Sequence, residues 1–184
     1  MTKPAASAPT IPFKMRRLET PDVASYRELR LEGLKAHPEA FGSTWEYEAD
    51  KPASWWAERL ETNTVFGGWV DGSPLVGVAA FYVPDAVKLR HKGVLWGMYV
   101  RSEARGTGLA AALVQRIVGH AQPLVEEICL RVVASNAAAC RLYSTAGFKE
   151  YGLERRALKI GSEYYDDVLM ALVLNPWPEP APGD

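Results

Sequence analysis

Cysteine is scarce in this 184-residue sequence, with only Cys129 and Cys140 present. Two thiols build neither a disulfide framework nor a CxxC site. Each falls in a regular-looking segment, where a free Cys serves as a small buried hydrophobe. Charge of one sign is also missing: 21 Lys and Arg stand against 22 Asp and Glu, a formal net of −1. That balance removes the general electrostatic reason to expect a nucleic-acid partner or an anionic membrane surface. The three histidines, His37, His91 and His120, form no HExxH and no Cys/His cluster, so no dedicated metal site is expected. No long hydrophobic run occurs either. The longest lies between Pro74 and Pro84, well short of the roughly 18 residues a membrane helix needs. Met1 to Pro12 carries no apolar signal core. The expectation is a soluble protein of a reducing cytoplasm.

What is present is globular: 48% of residues are hydrophobic and 23% charged, enough for one core at a prior of roughly 150 residues per domain. Seven of the 13 prolines sit at the two ends, from Pro4 to Pro12 and from Pro176 to Pro182. The expected organisation is a flexible tail over 1–12, one domain over 13–174 and a Pro-rich tail over 175–184. No internal repeat interrupts the domain.

Within it, Phe13–Leu18 reads as a first strand. Thr20-Pro21-Asp22 supplies an N-cap, a first-turn proline and an early acid for a helix running to Lys35. A second helix is expected over Ser54–Leu60. Val65–Val70 and Leu75–Val83, separated by Asp71-Gly72-Ser73-Pro74, read as a hairpin. Val94–Arg101 is almost continuously apolar, as in a strand covered on both faces. Leu109, Leu113 and Ile117 recur at helical spacing in a helix over Gly108–Gly119. Glu127–Ala134 alternates as a strand, Asn136–Ala146 is a helix stopped by Gly147, and strands over Lys149–Ile160 and Tyr164–Leu174 end the domain. The order β-α-α-β-β-β-α-β-α-β-β is an α/β fold with a mixed sheet.

The segment Arg101-Ser102-Glu103-Ala104-Arg105-Gly106-Thr107-Gly108-Leu109-Ala110 carries the strongest chemical signal. A buried strand ends there, two glycines turn the chain and an apolar helix begins. First-turn amides have no intrahelical partner and favour an anion, and glycines let the backbone approach a phosphate. The competing interpretation is a strand–helix turn without ligand. A Walker A loop is excluded because no Gly-Lys-Ser/Thr follows. Gly106 to Ala111 satisfies the loose G-x-G-x-x-A dinucleotide pattern, but the next strand ends in Val133-Ala134-Ser135-Asn136 without the required acid. An NAD-binding protein therefore stays a minor alternative.

With Arg105, Gly108 and Ala110 matching Q/R-x-x-G-x-G/A, the loop resembles the coenzyme-A loop of the GNAT superfamily of N-acetyltransferases. Asn136, Ala139, Tyr143, Gly147 and Phe148 are similar to that family's Asn…Ala…Tyr…Gly-Phe helix, and Tyr164-Tyr165-Asp166-Asp167 with Met170 resembles its final strand. The resemblance spans about Phe13 to Leu174. It implies a GNAT-like fold, a mostly antiparallel sheet of about seven strands flanked by helices, with acetyl-CoA as co-substrate in a splay between the fourth and fifth strands. By that resemblance the amides of Arg105, Gly106, Thr107, Gly108, Leu109 and Ala110 hold the pyrophosphate. Met98, Tyr99 and Val100 offer backbone groups to the pantetheine arm, and Asn136 and Tyr143 approach from the other side. Spacing agrees independently, since seven residues make close to two helical turns and put the last pair on one face.

The implied reaction is direct attack of a neutral amine on the thioester. Tyr143 acts as general acid towards the departing thiolate, and a backbone N–H near Met98–Val100 stabilises the oxyanion. The fourth strand lacks the acid that many members place there, so Glu46 and Glu48 are the candidate bases, beside an ordered water. Trp45, Trp69 and Trp96 are candidates for the acceptor cleft, whereas Trp55 and Trp56 read as packing. Lys88, Arg90, His91 and Lys92 read as a solvated turn. The acceptor is a small-molecule, peptide or protein amine, and dimerisation is a further implication. The alternative class is a non-catalytic acyl-CoA-binding or sensing module.

Overall fold

Short runs of β-branched and aromatic residues, broken by Gly, Pro and Asp, favour strands over long helices. The structure is a computed structural model and describes residues 12–175 apart from residue 71. The expected tails fall almost wholly outside these residues, as does Asp71 of the expected hairpin turn. The elements are β1 (Phe13–Arg17), α1 (Val23–Ala36), α2 (Trp45–Ala49), α3 (Ala53–Thr62), β2 (Thr64–Val70), β3 (Gly77–Tyr82) and β4 (Lys92–Val100). They continue with α4 (Leu109–Ala121), β5 (Glu127–Val133), α5 (Ala137–Thr145), β6 (Lys149–Ile160) and β7 (Glu163–Val173). The expected order holds with one addition, the five-residue α2. Thr20 does not cap α1. Residues Thr20–Asp22 form a 3₁₀ turn instead, in which the Glu19 N–H donates to Asp22 Oδ2 at 2.9 Å. Arg16 clamps the same carboxylate at 2.6 and 2.7 Å.

The seven strands form one sheet in the order β1-β2-β3-β4-β5-β7-β6. All neighbours are antiparallel except β4 and β5, which are parallel and pair only at Lys92↔Glu127, Gly93↔Ile128 and Val94↔Cys129. Beyond Val94 the two strands part. β4 stays with β3 as far as Val100↔Gly77, and β5 stays with β7 as far as Val133↔Asp167. The β3–β4 register slips between Val78 and Ala80, where Gly97 takes φ +62°. A bulge with a left-handed glycine bends and twists its strand. Here it turns β4 away from β5, and the sheet opens into two arms.

Alternation assigns the two faces. Val65, Val78 and Ala80 join Leu18, Tyr26, Leu29, Trp56 and Leu60 beneath α1 and α3. Phe66, Ala79 and Phe81 join Leu109, Leu113, Ile117 and Phe148 beneath α4 and α5. The expected apolar face of α4 is fully buried at Leu109, Leu113, Val114 and Ile117. Leu109 sits on a floor of two glycines: a Cβ at Gly68 would lie 2.5 Å from its Cδ1, and one at Gly77 3.0 Å from its Cδ2.

One ion cluster ties the helices of the other face together. Glu48 of α2 is fully buried and receives Arg30 of α1 at 2.9 and 3.0 Å and Arg59 of α3 at 3.0 Å. Burial pushes the Glu48 carboxyl up, but the Arg30 hydrogen bonds and both guanidinium charges outweigh this and hold it below the usual range. Its stabilising contribution is complete above the unfolded carboxyl value of about 4.3 and is lost as pH falls through the lower folded value. Removing one partner of a buried pair costs about 3–5 kcal/mol. Urea unfolding of Glu48→Ala is expected to show that loss at pH 7 and a progressively smaller one as pH falls below about 4.3 through the lower folded value. Gly97→Ala tests the bulge. The added methyl meets nothing closer than 3.6 Å, so the expected loss of about 1–2 kcal/mol comes from the left-handed backbone alone. Thermal or urea unfolding checks it.

Candidate active site

The parted strands leave a continuous cleft. On the α4 side a cavity of about 570 Å³ is bounded by Met98, Tyr99, Val100, Arg105, Ala110, Asn136 and Ala139, with His37 and Phe41 across from them. It adjoins a narrower space of about 100 Å³ containing Gly97, Met98, Asn136, Leu142 and Tyr143. On the far side a third cavity of about 280 Å³ lies among Arg30, Phe41, Trp96, Gly97, Arg131, Glu154, Leu158 and Asp167. The first is within the range of small-molecule sites, roughly 300–1,000 Å³. Since β4 has no partner past Val94 on its β5 side, backbone donors and acceptors of Leu95–Val100 face the cleft along that edge.

The glycine loop sits at the mouth of the larger cavity. Gly106 and Gly108 take φ +78° and +90°, the second directly before α4. Among the described residues, the N–H groups of Gly106, Thr107, Gly108, Ala110 and Ala111 meet no acceptor. Leu109 differs. Its N–H donates to Thr107 Oγ1 at 3.2 Å and its side chain is fully buried. Its side chain anchors the helix, and its amide is engaged within the loop, as is the Arg105 N–H, which donates to the Ser102 carbonyl at 3.2 Å. The Thr107 hydroxyl donates to the Ala104 carbonyl at 2.7 Å and so shapes the loop. Arg105 turns back, donating from Nε to the Val100 carbonyl at 3.1 Å. That carbonyl is therefore partly engaged, whereas Met98 and Tyr99 line the cleft. The Tyr99 hydroxyl points away, donating to Glu32 Oε1 at 3.0 Å.

Across the cleft, α5 presents Asn136 and Tyr143 together. Asn136 is the N-cap, its Oδ1 accepting from the Ala139 N–H at 3.0 Å. Sequence reasoning overlooked this cap, although Asn before an apolar helix is a standard signal. Tyr143 is 5% exposed and packs edge-on to Phe148 at 5.9 Å. Burial, with a smaller push from Cys140, drives its phenol well above the ordinary value. It therefore holds its proton throughout the neutral range.

The acids on α2 do not join this group. Glu48 lies in the ion cluster, bound by two guanidiniums, an arrangement that makes a carboxylate a poor proton acceptor. Glu46 is exposed and lines a separate cavity of about 710 Å³ with Trp45, Lys35 and Ile160. Of the tryptophans, Trp96 reaches the third cavity, Trp45 does not, and Trp69 stacks under Arg16 at 4.7 Å. The basic turn around Lys88 and Arg90 is exposed. Sequence reasoning missed Arg30, Arg131, Glu154 and Asp167. Arg30 was detectable, because it occupies the buried face marked by Tyr26, Leu29, Gly33 and Leu34.

Comparison with known proteins agrees with this geometry. The family model described as "Acetyltransferase (GNAT) family" matches residues 29–148. Among solved structures, an acetyltransferase of the GNAT family from Streptococcus pneumoniae is 19% identical, with a TM-score of 0.78 over 89% of this chain and 100% of that one. The yncA protein of Salmonella typhimurium, solved with its cofactor acetyl-CoA, is 19% identical with a TM-score of 0.75 over 94% and 99%. The ribosomal-protein-alanine N-acetyltransferase of Brucella melitensis is 21% identical with a TM-score of 0.73 over 88% and 99%. A cleft at the parting of β4 and β5, below a loop of unpaired amides and facing an Asn/Tyr helix, thus coincides with a family match over most of the domain, and the chain belongs to the GNAT family of acetyltransferases.

Proposed function

We propose that residues 13–174 form an N-acetyltransferase that moves an acetyl group from acetyl-CoA to a primary amine within the cleft. The observation carrying this reading is the set of amides of Gly106, Thr107, Gly108, Ala110 and Ala111, unpaired among the described residues, at the wider end of a cleft with Tyr143 at its waist. When bound, acetyl-CoA supplies the activated acyl group. The N–H groups of Gly106, Thr107, Gly108 and Ala110 meet its pyrophosphate at the positive end of α4. Met98 and Tyr99 of the opened β4 edge pair with the pantetheine arm, and an N–H of the Met98–Val100 segment receives the carbonyl charge that develops during attack.

Tyr143 is the general acid. The bond that forms is nitrogen to acyl carbon, and the one that breaks is acyl carbon to sulfur, whose electron pair takes the Tyr143 proton. One proton leaves the ammonium before attack and another leaves nitrogen as the amide forms. The phenolate regains one of these, so each turnover releases a single proton. A free thiol has an ordinary pKa of about 8.5, well below the raised Tyr143 phenol. The phenol therefore gives up its proton only as carbon–sulfur cleavage builds charge on sulfur and the amide nitrogen becomes able to return one.

Two measurements test the reading. At about 100 times Kd, acetyl-CoA should add roughly 2.7 kcal/mol and raise the melting temperature by about 5–10 °C, while NAD should leave it unchanged. Tyr143→Phe should keep that shift but lower kcat about 10²–10⁴-fold, followed by release of free CoA thiol. Unchanged turnover would remove Tyr143 from the chemistry.

A further inference from the structure

The third cavity, of about 280 Å³, carries opposite net charge on its two walls. On one side Arg30 and Arg59 share the single carboxylate of Glu48, which leaves one positive charge in excess. Arg30 is 4% exposed and lines the cavity, and its Nη1 has no hydrogen-bond partner among the described residues. The indole Nε1 of Trp96, on the same wall, is likewise buried without a partner. Buried donors with no acceptor are unfavourable. These two atoms lie within the wall, and what this side of the cavity offers an anion is the surplus charge of the Arg30–Arg59 pair.

On the opposite wall the arithmetic reverses. Arg131 alone stands between Glu154, with which it forms an ion pair, and Asp167, whose Oδ2 lies 3.4 Å from its Nε. Two carboxylates against one guanidinium leave one negative charge in excess. Asp167 is 7% exposed and pairs in register with Val133, the residue at which β5 reaches the cleft. Burial lifts its carboxyl above the ordinary range against the pull of Arg131, which suits a group that collects a proton. Phe41, Leu95 and Leu158 close the cavity with apolar surface.

From these walls we infer that the acetyl acceptor is a zwitterion, a free α-amino acid, bound with its carboxylate towards Arg30 and Trp96 and its ammonium towards Asp167 and Glu154. The inference rests on the transferase reading above and supplies its acceptor. The cavity sits near the lower limit of small-molecule sites and adjoins the space holding Gly97 and Tyr143, which brings the amino group to the thioester. Asp167 takes the first ammonium proton, the role that neither acid of α2 is placed to fill. A peptide N-terminus matches less well, because it offers a neutral carbonyl where Arg30 offers a charge.

The test uses the full chain with acetyl-CoA and follows CoA thiol release. The acceptors are the twenty common L-amino acids, the α-amides and decarboxylated amines of the best of them, and an alanyl tripeptide with an amidated C-terminus. At least one amino acid should be acetylated with kcat/KM roughly thirtyfold or more above its amide and its amine. Arg30→Met should bring acid and amide to similar values, and Glu154→Gln, at a half-exposed position, should raise KM for the amino acid several-fold. The wild-type comparison decides the matter even if Arg30→Met does not fold. Amide, amine or tripeptide equal to or better than the free amino acid would overturn the inference. So would no turnover of any amino acid while acetyl-CoA still shifts the melting temperature, an outcome that leaves the cofactor reading standing. Absence of that shift would remove both.

Discussion

A parallel ladder of three residue pairs joins β4 to β5, and the cleft follows from its brevity. Strand edges left unpaired inside a fold are costly unless something meets their backbone groups. Here the ladder stops at Val94 and Cys129, the bulge at Gly97 steers β4 aside, and past Val94 the β5-side edge of β4 borders open space within the sheet. β5 does not follow, because seven pairs hold it to β7. The cleft is therefore a property of strand pairing, and side chains only trim it. It places a glycine loop, an opened strand edge and the Asn136–Tyr143 face along one line, which is the order in which a long thioester presents phosphate, amide and acyl groups.

The two ends of that line are built from different physics. At the loop end Arg105 lines the cavity but turns its Nε back to the Val100 carbonyl. Backbone amides and the dipole of α4 dominate there, on a helix fixed by Leu109 in its glycine-floored hole. At the far end, formal charges dominate in a buried setting, where Arg30, Glu48 and Arg59 also tie three helices together. The same guanidinium thus serves stability and, on the reading above, recognition. Its partner Glu48 is held in the same cluster by both guanidiniums.

How much of this was legible in the sequence depended on whether the signal was local. The seven strands, four of the five helices and the glycine loop announce themselves through alternation, helical spacing and turn residues within short windows. Asn136 and Tyr143 share a face because of their spacing alone. The short helix α2 escaped, since Trp45-Glu46-Tyr47-Glu48 has no apolar periodicity to mark it. The fate of Glu48 was invisible for another reason: its two partners lie 18 and 11 residues away on other helices, and only tertiary packing brings them together. Arg131, Glu154 and Asp167 belong to three different strands, and their meeting depends on the β5-β7-β6 order, which local pattern does not determine.

The outer margins of the sheet contrast with its interior cleft. β1, at one end, reads Phe-Lys-Met-Arg-Arg, and β6, at the other, carries Lys149, Glu150, Glu154, Arg155, Arg156 and Lys159. Charges on terminal strands discourage pairing with a neighbouring chain. The Leu95-Trp96-Gly97-Met98-Tyr99-Val100 edge inside the cleft has no such guard. Left unpaired on its β5 side past Val94, that edge is guarded only by its place between the two arms of the sheet. A ligand lying along it would complete the pairing that the sheet itself leaves open.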